Sequence, residues 1–154
     1  MLKKALPFVI FMFIVSCGYK PMLSKKNTDN YAFSISKLIF EGDKIINLKV
    51  KQKLNNYKLN KAEKNFSLRI ISTSDKIILA KDLRGDPTNF KNITTLNVDV
   101  LANNTIKNRL QLQASFNYNN NKNKLDLKKY EKEIKKNLAE TVTNKLIFKL
   151  SNIQ

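Results

Sequence analysis

The sequence predicts an α+β fold, in which two helices pack on one face of a small four-stranded sheet in the order strand, helix, three strands, helix. Two patterns carry this prediction. From Leu110 to Tyr118, every second residue is apolar, which is typical of a strand with one buried face. From Leu127 to Leu150, apolar residues recur every three or four positions, which is typical of an amphipathic helix. Helices and strands of this kind stack as two layers around one core.

The first strand and helix are predicted between residues 33 and 59. Residues 33–40 contain Phe33 and Ile35, and the last three of these residues, 38–40, are apolar. The segment Glu41-Gly42-Asp43 is expected to terminate this strand. Asp43 can then cap a following helix. Residues 44–59 fit two patterns, because their apolar residues lie on one helical face but also partly alternate with lysines. The length of the segment favours the helix, since strands rarely run this far.

Three strands are predicted in the middle of the chain. Residues 66–70 alternate, and the alternation resumes at Ile77 after a polar stretch. Residues 84–87 contain glycine and proline and are expected to form a loop. Residues 96–102 form the next predicted strand, and Asn103-Asn104 is a plausible hairpin turn before residues 110–118, because asparagine tolerates positive φ.

The terminal helix has two possible roles. Its lysines at positions 128, 132, 135 and 136 fall away from the apolar stripe. A basic amphipathic helix can lie on a membrane. A stripe this regular is more often the face that packs on a sheet, and this second interpretation is favoured.

The amino terminus has the features of a secretory signal peptide. Lys3 and Lys4 precede an apolar run from Phe8 to Val15, which is too short to span a bilayer, and Cys17 follows Ser16. Cysteine directly after a small residue resembles the lipobox of bacterial lipoproteins, in which the cysteine is acylated and becomes the first residue. The alternative is a chance cysteine at the end of a membrane anchor.

This interpretation divides the chain into a signal peptide at 1–16, a lipidated amino terminus and linker at 17–32, and a single α+β domain at 33–154. Cys17 is the only cysteine and is the predicted lipidation site, so no disulfide is expected. Gly18 stands where an aspartate would favour inner-membrane retention. The expected location is therefore the outer membrane, with the protein lipid-anchored and facing the periplasm.

The composition argues against catalysis. The chain has 29 Lys+Arg against 12 Asp+Glu and no histidine, which is the commonest general base. Neither a glycine-rich phosphate loop nor an acidic cluster with metal-ligand spacing is evident, so no enzyme activity, metal or cofactor is expected. The formal charge of +17 points to an anionic partner, although A/T-rich codons would also enrich lysine and asparagine.

The segment Cys17-Gly18-Tyr19-Lys20-Pro21 resembles the start of mature lipopolysaccharide-assembly lipoproteins, the LptE family. The order of elements is similar to that of the family. So is the serine-aromatic-asparagine stretch at residues 115–117, before the terminal helix. Met22 departs from the leucine usual in the family.

The resemblance implies a non-enzymatic role in lipopolysaccharide transport. Proteins of the family plug an LptD-like outer-membrane β-barrel, support its assembly and help to deliver lipopolysaccharide to the cell surface. Candidate lipopolysaccharide contacts are Lys81, Arg84 and Lys91, around the predicted loop. The alternative is a generic lipoprotein adaptor or a pilot protein of another envelope complex. No nucleic-acid partner is expected, because Phe66, Phe116 and Tyr118 lie in the inward phase of their strands rather than on a stacking surface.

Overall fold

The computed structural model describes residues 33–58, 62–103 and 105–153. Four strands and two helices make up this part of the chain. In chain order they are β1 (Ser34–Gly42), α1 (Lys44–Leu54), β2 (Asn65–Lys81), β3 (Pro87–Ala102), β4 (Thr105–Asn119) and α2 (Lys124–Ser151), with a short 3₁₀ turn at Asn55–Tyr57 after α1.

The strands form one mixed sheet in the order β1-β2-β3-β4. β1 pairs with β2 in parallel, as expected when a helix connects them, and the other neighbours are antiparallel. Both helices pack on one face of this sheet. The α+β class and the order of elements predicted from the sequence are therefore confirmed.

The core lies between the helices and the even-numbered residues of β3. One apolar cluster joins Leu96, Val98 and Val100 to both helices, and a second joins Phe90 and Tyr118 to the first half of α2. Four polar residues lie between the two clusters on the same side of the sheet, namely Ser72, Ser74, Asn92 and Thr94. These four residues are called the polar seam below.

The junction between β1 and α1 depends on a glycine. Gly42 has φ +95°, and a Cβ at this position would lie 2.0 Å from the carbonyl oxygen of Ser72. The close approach lets the Asp43 N–H donate to that oxygen at 3.1 Å. Asp43 then caps α1, because its Oδ1 accepts from the N–H groups of Ile45 and Ile46 at 2.8 and 3.1 Å.

Helix α1 confirms the helical interpretation of this segment, but it ends at Leu54 rather than at residue 59. Asn55 and Asn56 follow, and asparagine is a weak helix former because its amide competes for backbone hydrogen bonds. The chain tightens into the 3₁₀ turn there. The ring of Tyr57 stacks on Phe33 with a centroid distance of 4.7 Å.

The strands are longer than the apolar pattern predicts. β1 continues through Gly42, β2 is one strand of 17 residues, and β3 begins at Pro87 instead of at residue 96. β4 begins at Thr105 instead of at residue 110. Cross-strand pairing supplies the reason, since the polar residues that interrupt the alternation in β2 are hydrogen-bonded to β3. Asn103 has φ +50°, in agreement with the predicted turn.

Helix α2 begins three residues before the predicted apolar stripe because Asn123 caps it, accepting from the N–H of Leu125 at 3.0 Å. The stripe from Leu127 to Leu150 is buried against the sheet except for Tyr130, which is 49% exposed. Packing on the sheet is thus confirmed as the role of the stripe. No helix in the described ranges has the length and apolar character required to cross a bilayer.

Candidate functional site

The predicted lipidation site Cys17, the signal peptide at 1–16 and the linker at 17–32 lie outside the described residues. Three surfaces of the domain carry features that a simple core does not require: the end of the β2–β3 hairpin, the helix-free face of the sheet, and a groove between the two helices.

The β2–β3 hairpin ends in a turn that Asp82 organises. Its Oδ1 accepts from the N–H groups of Arg84 and Asp86, both at 2.9 Å. Its backbone N–H donates to the Asp86 carbonyl at 2.9 Å, and Gly85 adopts φ +88°, which a glycine allows without strain. The predicted loop is thus a tight turn of five residues at the tip of two long strands.

The structure brings two of the three candidate lipopolysaccharide contacts together. Lys81 and Arg84 lie exposed at this turn. Lys91 is half-buried on β3, four residues beyond Pro87, which is about 13 Å along a strand. Its side chain belongs to the odd-numbered set, which faces away from the helices, between Ile77 of β2 and Asn117 of β4.

The charges at the turn are nearly balanced. Lys81 and Arg84 carry two positive charges, and the carboxylates of Asp82 and Asp86 carry two negative charges within the same short segment. Asp82 is held in place by the backbone hydrogen bonds of the turn. An anion at the turn would therefore meet little net positive charge from these four residues, and the electrostatic signal of the site is weaker than the sequence indicates.

The same end of the molecule exposes aliphatic side chains that the sequence analysis did not single out. Ile77, Ile78 and Leu79 are 46–47% exposed, and Leu83 at the turn is fully exposed. The three consecutive apolar residues at 77–79 indicate this exposure in the sequence. Successive side chains of a strand point to opposite faces of the sheet, so all three cannot face the core. Cationic and apolar groups thus coexist at the hairpin end.

The helix-free face of the sheet is largely polar and uncharged over β3 and β4, whereas Ile39, Ile71 and Ile77 expose apolar surface on β1 and β2. It presents the odd-numbered residues of the two antiparallel strands at one edge, among them Thr95, Asn97, Gln111 and Gln113. Ion pairs lie near its border: Arg69 with Glu41 at 2.8 Å, and Arg109 with Asp99 at 3.4 Å. This face meets a polar environment without burying unpaired charge.

Phe116 is a partial exception to the sequence interpretation of the aromatics. Tyr118 and Phe66 are buried as expected, at 4% and 5% exposure, but Phe116 is 46% exposed although it faces the helix side. It borders a cavity of about 310 Å³ between β4 and α2, which Tyr130 and Ile134 also line. The cavity separates Phe116 from α2, so a side chain on the helix-facing side of the strand stays partly exposed here.

The groove between the helices combines carboxylates and lysines. Lys135 Nζ lies 2.7 Å from Asp43 Oδ2. Burial raises the pKa of Asp43, but the Lys135 hydrogen bond and the N–H groups of the cap outweigh it, so its pKa lies below the usual value. Tyr118 donates to Glu131 at 2.8 Å. Burial and this carboxylate raise the pKa of the Tyr118 phenol, so the hydroxyl stays protonated as a donor.

Within the described ranges, no group of histidine, cysteine, aspartate and glutamate side chains is arranged to hold a metal ion. The carboxylates that the structure brings near other charged groups face lysines or arginines, as in the pairs of Glu131 with Lys76 and Glu140 with Lys53. These arrangements are ion pairs of a folded surface rather than sets of ligands.

Solved structures of bacterial lipoproteins share this architecture. Rare lipoprotein B from Shewanella oneidensis matches with a TM-score of 0.54 and 16% identity over 75% of this chain and 97% of that chain. A minor lipoprotein from Acinetobacter baumannii matches with a TM-score of 0.57 and 16% identity over 75% and 90% of the respective chains.

A third structure, lipoprotein B from Nitrosomonas europaea, matches with a TM-score of 0.54 and 14% identity over 80% of this chain and 87% of that chain. No protein-family model matches the sequence, and no curated protein matches it significantly. At these identities the likeness concerns the fold. The described domain therefore has the same fold as these bacterial lipoproteins.

Proposed function

We propose that this chain is an outer-membrane lipoprotein, anchored through acylated Cys17 and facing the periplasm, that plugs an LptD-like β-barrel. In this role it supports assembly of the barrel and helps to deliver lipopolysaccharide to the cell surface, without enzyme activity. The observation that carries the proposal is the fold shared with rare lipoprotein B and related lipoproteins. The lipobox and the segment that follows Cys17 agree with it.

The length of the sheet supports a plug. β2, β3 and β4 contain 17, 16 and 15 residues. At about 3.3 Å per residue, the sheet is about 50 Å long, whereas strands are usually 3–10 residues. A bilayer with its headgroups is about 40–45 Å thick. A sheet of this length is long enough to extend through the lumen of a membrane barrel, and a compact adaptor does not require it.

The direction of the chain supports the same arrangement. β1 starts opposite the start of β2, with Ser34 beside Asn65, so the chain enters the sheet at the end far from the β2–β3 turn. An anchor in the periplasmic leaflet would hold the entry end near that leaflet. The turn with Lys81 and Arg84 would then point through the barrel toward the outer leaflet.

The chemistry of the surface fits a polar lumen and an anionic amphiphile. The uncharged polar residues of the helix-free face match the polar interior that large membrane barrels have. At the hairpin end, Lys81 and Arg84 provide cations for lipid phosphates, and Lys91 provides a further cation along β3. Leu83 and residues 77–79 provide apolar surface for acyl chains. The mixed character compensates for the weak net charge of the turn.

A pull-down of the acylated protein from solubilised membranes tests the proposal. We expect a large β-barrel to co-purify and to remain bound in mild detergent, because a lumenal plug buries a large interface. Depletion of the chain should lower both the correctly assembled barrel and surface lipopolysaccharide. Recovery of a secretin or of peptidoglycan instead would favour the adaptor or pilot role.

The hairpin contacts are tested separately with lipopolysaccharide binding to the purified chain. Arg84→Gln should weaken binding, whereas Lys51→Gln, which removes an exposed charge from α1, should not. Binding carried by exposed charges should also weaken between low and physiological salt, because charges are screened over about 8–10 Å there. Salt-independent binding with no effect of Arg84→Gln would assign the affinity to the apolar residues alone.

A further inference from the structure

A cavity of about 300 Å³ opens between the amino-terminal end of α1 and the first half of α2. Four lysines line it: Lys76 from β2, and Lys128, Lys132 and Lys135 from α2. Its remaining polar lining includes Glu131 and two members of the polar seam, Ser74 and Asn92. This cavity lies on the helix side of the sheet, away from the β2–β3 turn.

The lining from the sheet is unusual because it is polar where the neighbouring positions are apolar. Asn92 is 5% exposed and lies between Phe90 and Leu96 on the helix-facing side of β3. Its Oδ1 accepts from Ser74 Oγ at 3.2 Å, but its amide nitrogen has no hydrogen-bond acceptor among the residues that the structure describes. This nitrogen is not fully buried, so it can donate to water or to a molecule in the cavity.

The charges around the cavity are also incompletely matched. Lys76 pairs with Glu131, and Lys135 pairs with Asp43 at 2.7 Å. Lys128 and Lys132 form no ion pair within the described ranges, although both line the same cavity. Four lysines against two carboxylates leave a formal excess of two positive charges.

The unpaired lysines lie four residues apart on α2, and like charges at this spacing repel each other. An anion placed between them would remove the repulsion. It would also offer an acceptor to the amide nitrogen of Asn92. The two lysines and this donor line one cavity, and a tetrahedral dianion there can accept from all three.

We propose that this cavity binds a phosphate monoester, whose two negative charges match the lysine excess and whose oxygens accept from Lys128, Lys132 and the amide of Asn92. The site is independent of the proposed barrel partner, since it is built entirely from this chain. The phosphate can belong to a lipid headgroup or be free phosphate. Both sources share the chemistry that the cavity recognises.

Calorimetric titration of the purified full chain in mild detergent tests the site. The probes are inorganic phosphate and micellar phosphatidic acid, which carries a phosphate monoester, with diacylglycerol as the uncharged lipid control. Lys132→Gln and Lys128→Gln should each weaken binding about tenfold, because each removes a charged hydrogen bond. The matched control is Lys129→Gln, which removes an exposed charge of the same helix outside the cavity.

A second measurement follows the side-chain amide of Asn92 by nuclear magnetic resonance during the same titrations. A shift of this signal, with losses confined to the two cavity variants, supports the site. Binding of both probes assigns it to headgroups as well as free phosphate, and binding of inorganic phosphate alone assigns it to free phosphate. No binding of either probe, an equal loss in Lys129→Gln, or an unmoved Asn92 signal would overturn the proposal.

Discussion

Replacing Gly42 by alanine should destabilise the domain strongly, because the glycine is required twice at the β1–α1 junction. Its φ of +95° is unfavourable for any residue with a Cβ. A Cβ would also lie 2.0 Å from the Ser72 carbonyl oxygen, which is backbone and is held in the sheet. The end of β1 therefore has to move away from β2.

The magnitude follows from what this movement breaks. A left-handed backbone costs about 1–2 kcal/mol for an L-residue. The hydrogen bond from Asp43 N–H to the Ser72 carbonyl contributes about 1 kcal/mol. Displacement of Asp43 also weakens the cap of α1, typically by about 1 kcal/mol. We expect the free energy of unfolding to fall by roughly 3–4 kcal/mol, a large share of the 5–15 kcal/mol of a typical domain.

Gly85→Ala is the matched control. Gly85 has a similar φ of +88°, but no heavy atom lies within 4 Å of the position where its Cβ would be. This variant should lose only the backbone contribution, about 1–2 kcal/mol. Urea denaturation of the full chain in mild detergent, followed by far-ultraviolet circular dichroism, measures both. Equal losses in the two variants would show that the approach of Gly42 to Ser72 carries no energy and would refute the reasoning.

Three further predictions concern the core, the anchor and pH. Leu138→Asp buries an unpaired charge and should lower the free energy of unfolding by several kcal/mol. Asn137→Asp, at the preceding and exposed position, should leave the melting temperature nearly unchanged. Equal melting temperatures of the two variants would contradict the packing of α2. Mass spectrometry should find a lipidated amino-terminal Cys17, and an intact Met1 would exclude cleavage. The pKa of Asp43 is lowered by folding, so its contribution is present above about pH 4, where the unfolded carboxyl titrates, and is lost as pH falls through the folded pKa. The stability difference between wild type and Asp43→Asn should accordingly shrink in acid.

The elements with a clean apolar period could be predicted from the sequence. The stripe of α2 and the alternation in β4 are each produced by burial of one face, so most of their apolar residues lie in the core. Phe116 and Tyr130 are the exceptions, because they border a cavity. α1 was ambiguous because its short stripe of Ile46, Val50 and Leu54 overlaps an alternation with lysines. Only its length separated the two interpretations.

The extent of the strands could not be predicted, because pairing rather than burial holds their ends. β3 begins at Pro87, and residues 87–95 include the seam members Asn92 and Thr94 on the side that should be apolar. An argument from alternation places the end of a strand wherever a polar residue occupies a core-facing position. Backbone pairing with β2 extends the sheet past these positions regardless of side chain.

The candidate site shows the same division. The cations close to Gly85 in the sequence predicted that Lys81 and Arg84 share one turn. The sequence did not show that backbone hydrogen bonds hold Asp82 in the same turn, where its carboxylate offsets their charge. Lys91 was grouped with them by proximity in sequence, and strand geometry sends it about 13 Å away. Spacing along the chain predicts proximity only within a turn.

The polar seam helps to distinguish a functional origin of the lysines that border it from an origin in codon bias. Codon bias would scatter lysines over the surface without regard to what lies beneath them. Lys128 and Lys132 instead lie on the helix face that borders a polar pair, the half-buried Ser74 and the buried Asn92, contributed by two strands that are distant from α2 in sequence. Genome composition accounts for a lysine at an exposed position, but it does not account for a buried asparagine beneath it. The coincidence of the two is therefore a stronger argument for an anion than the formal charge of +17.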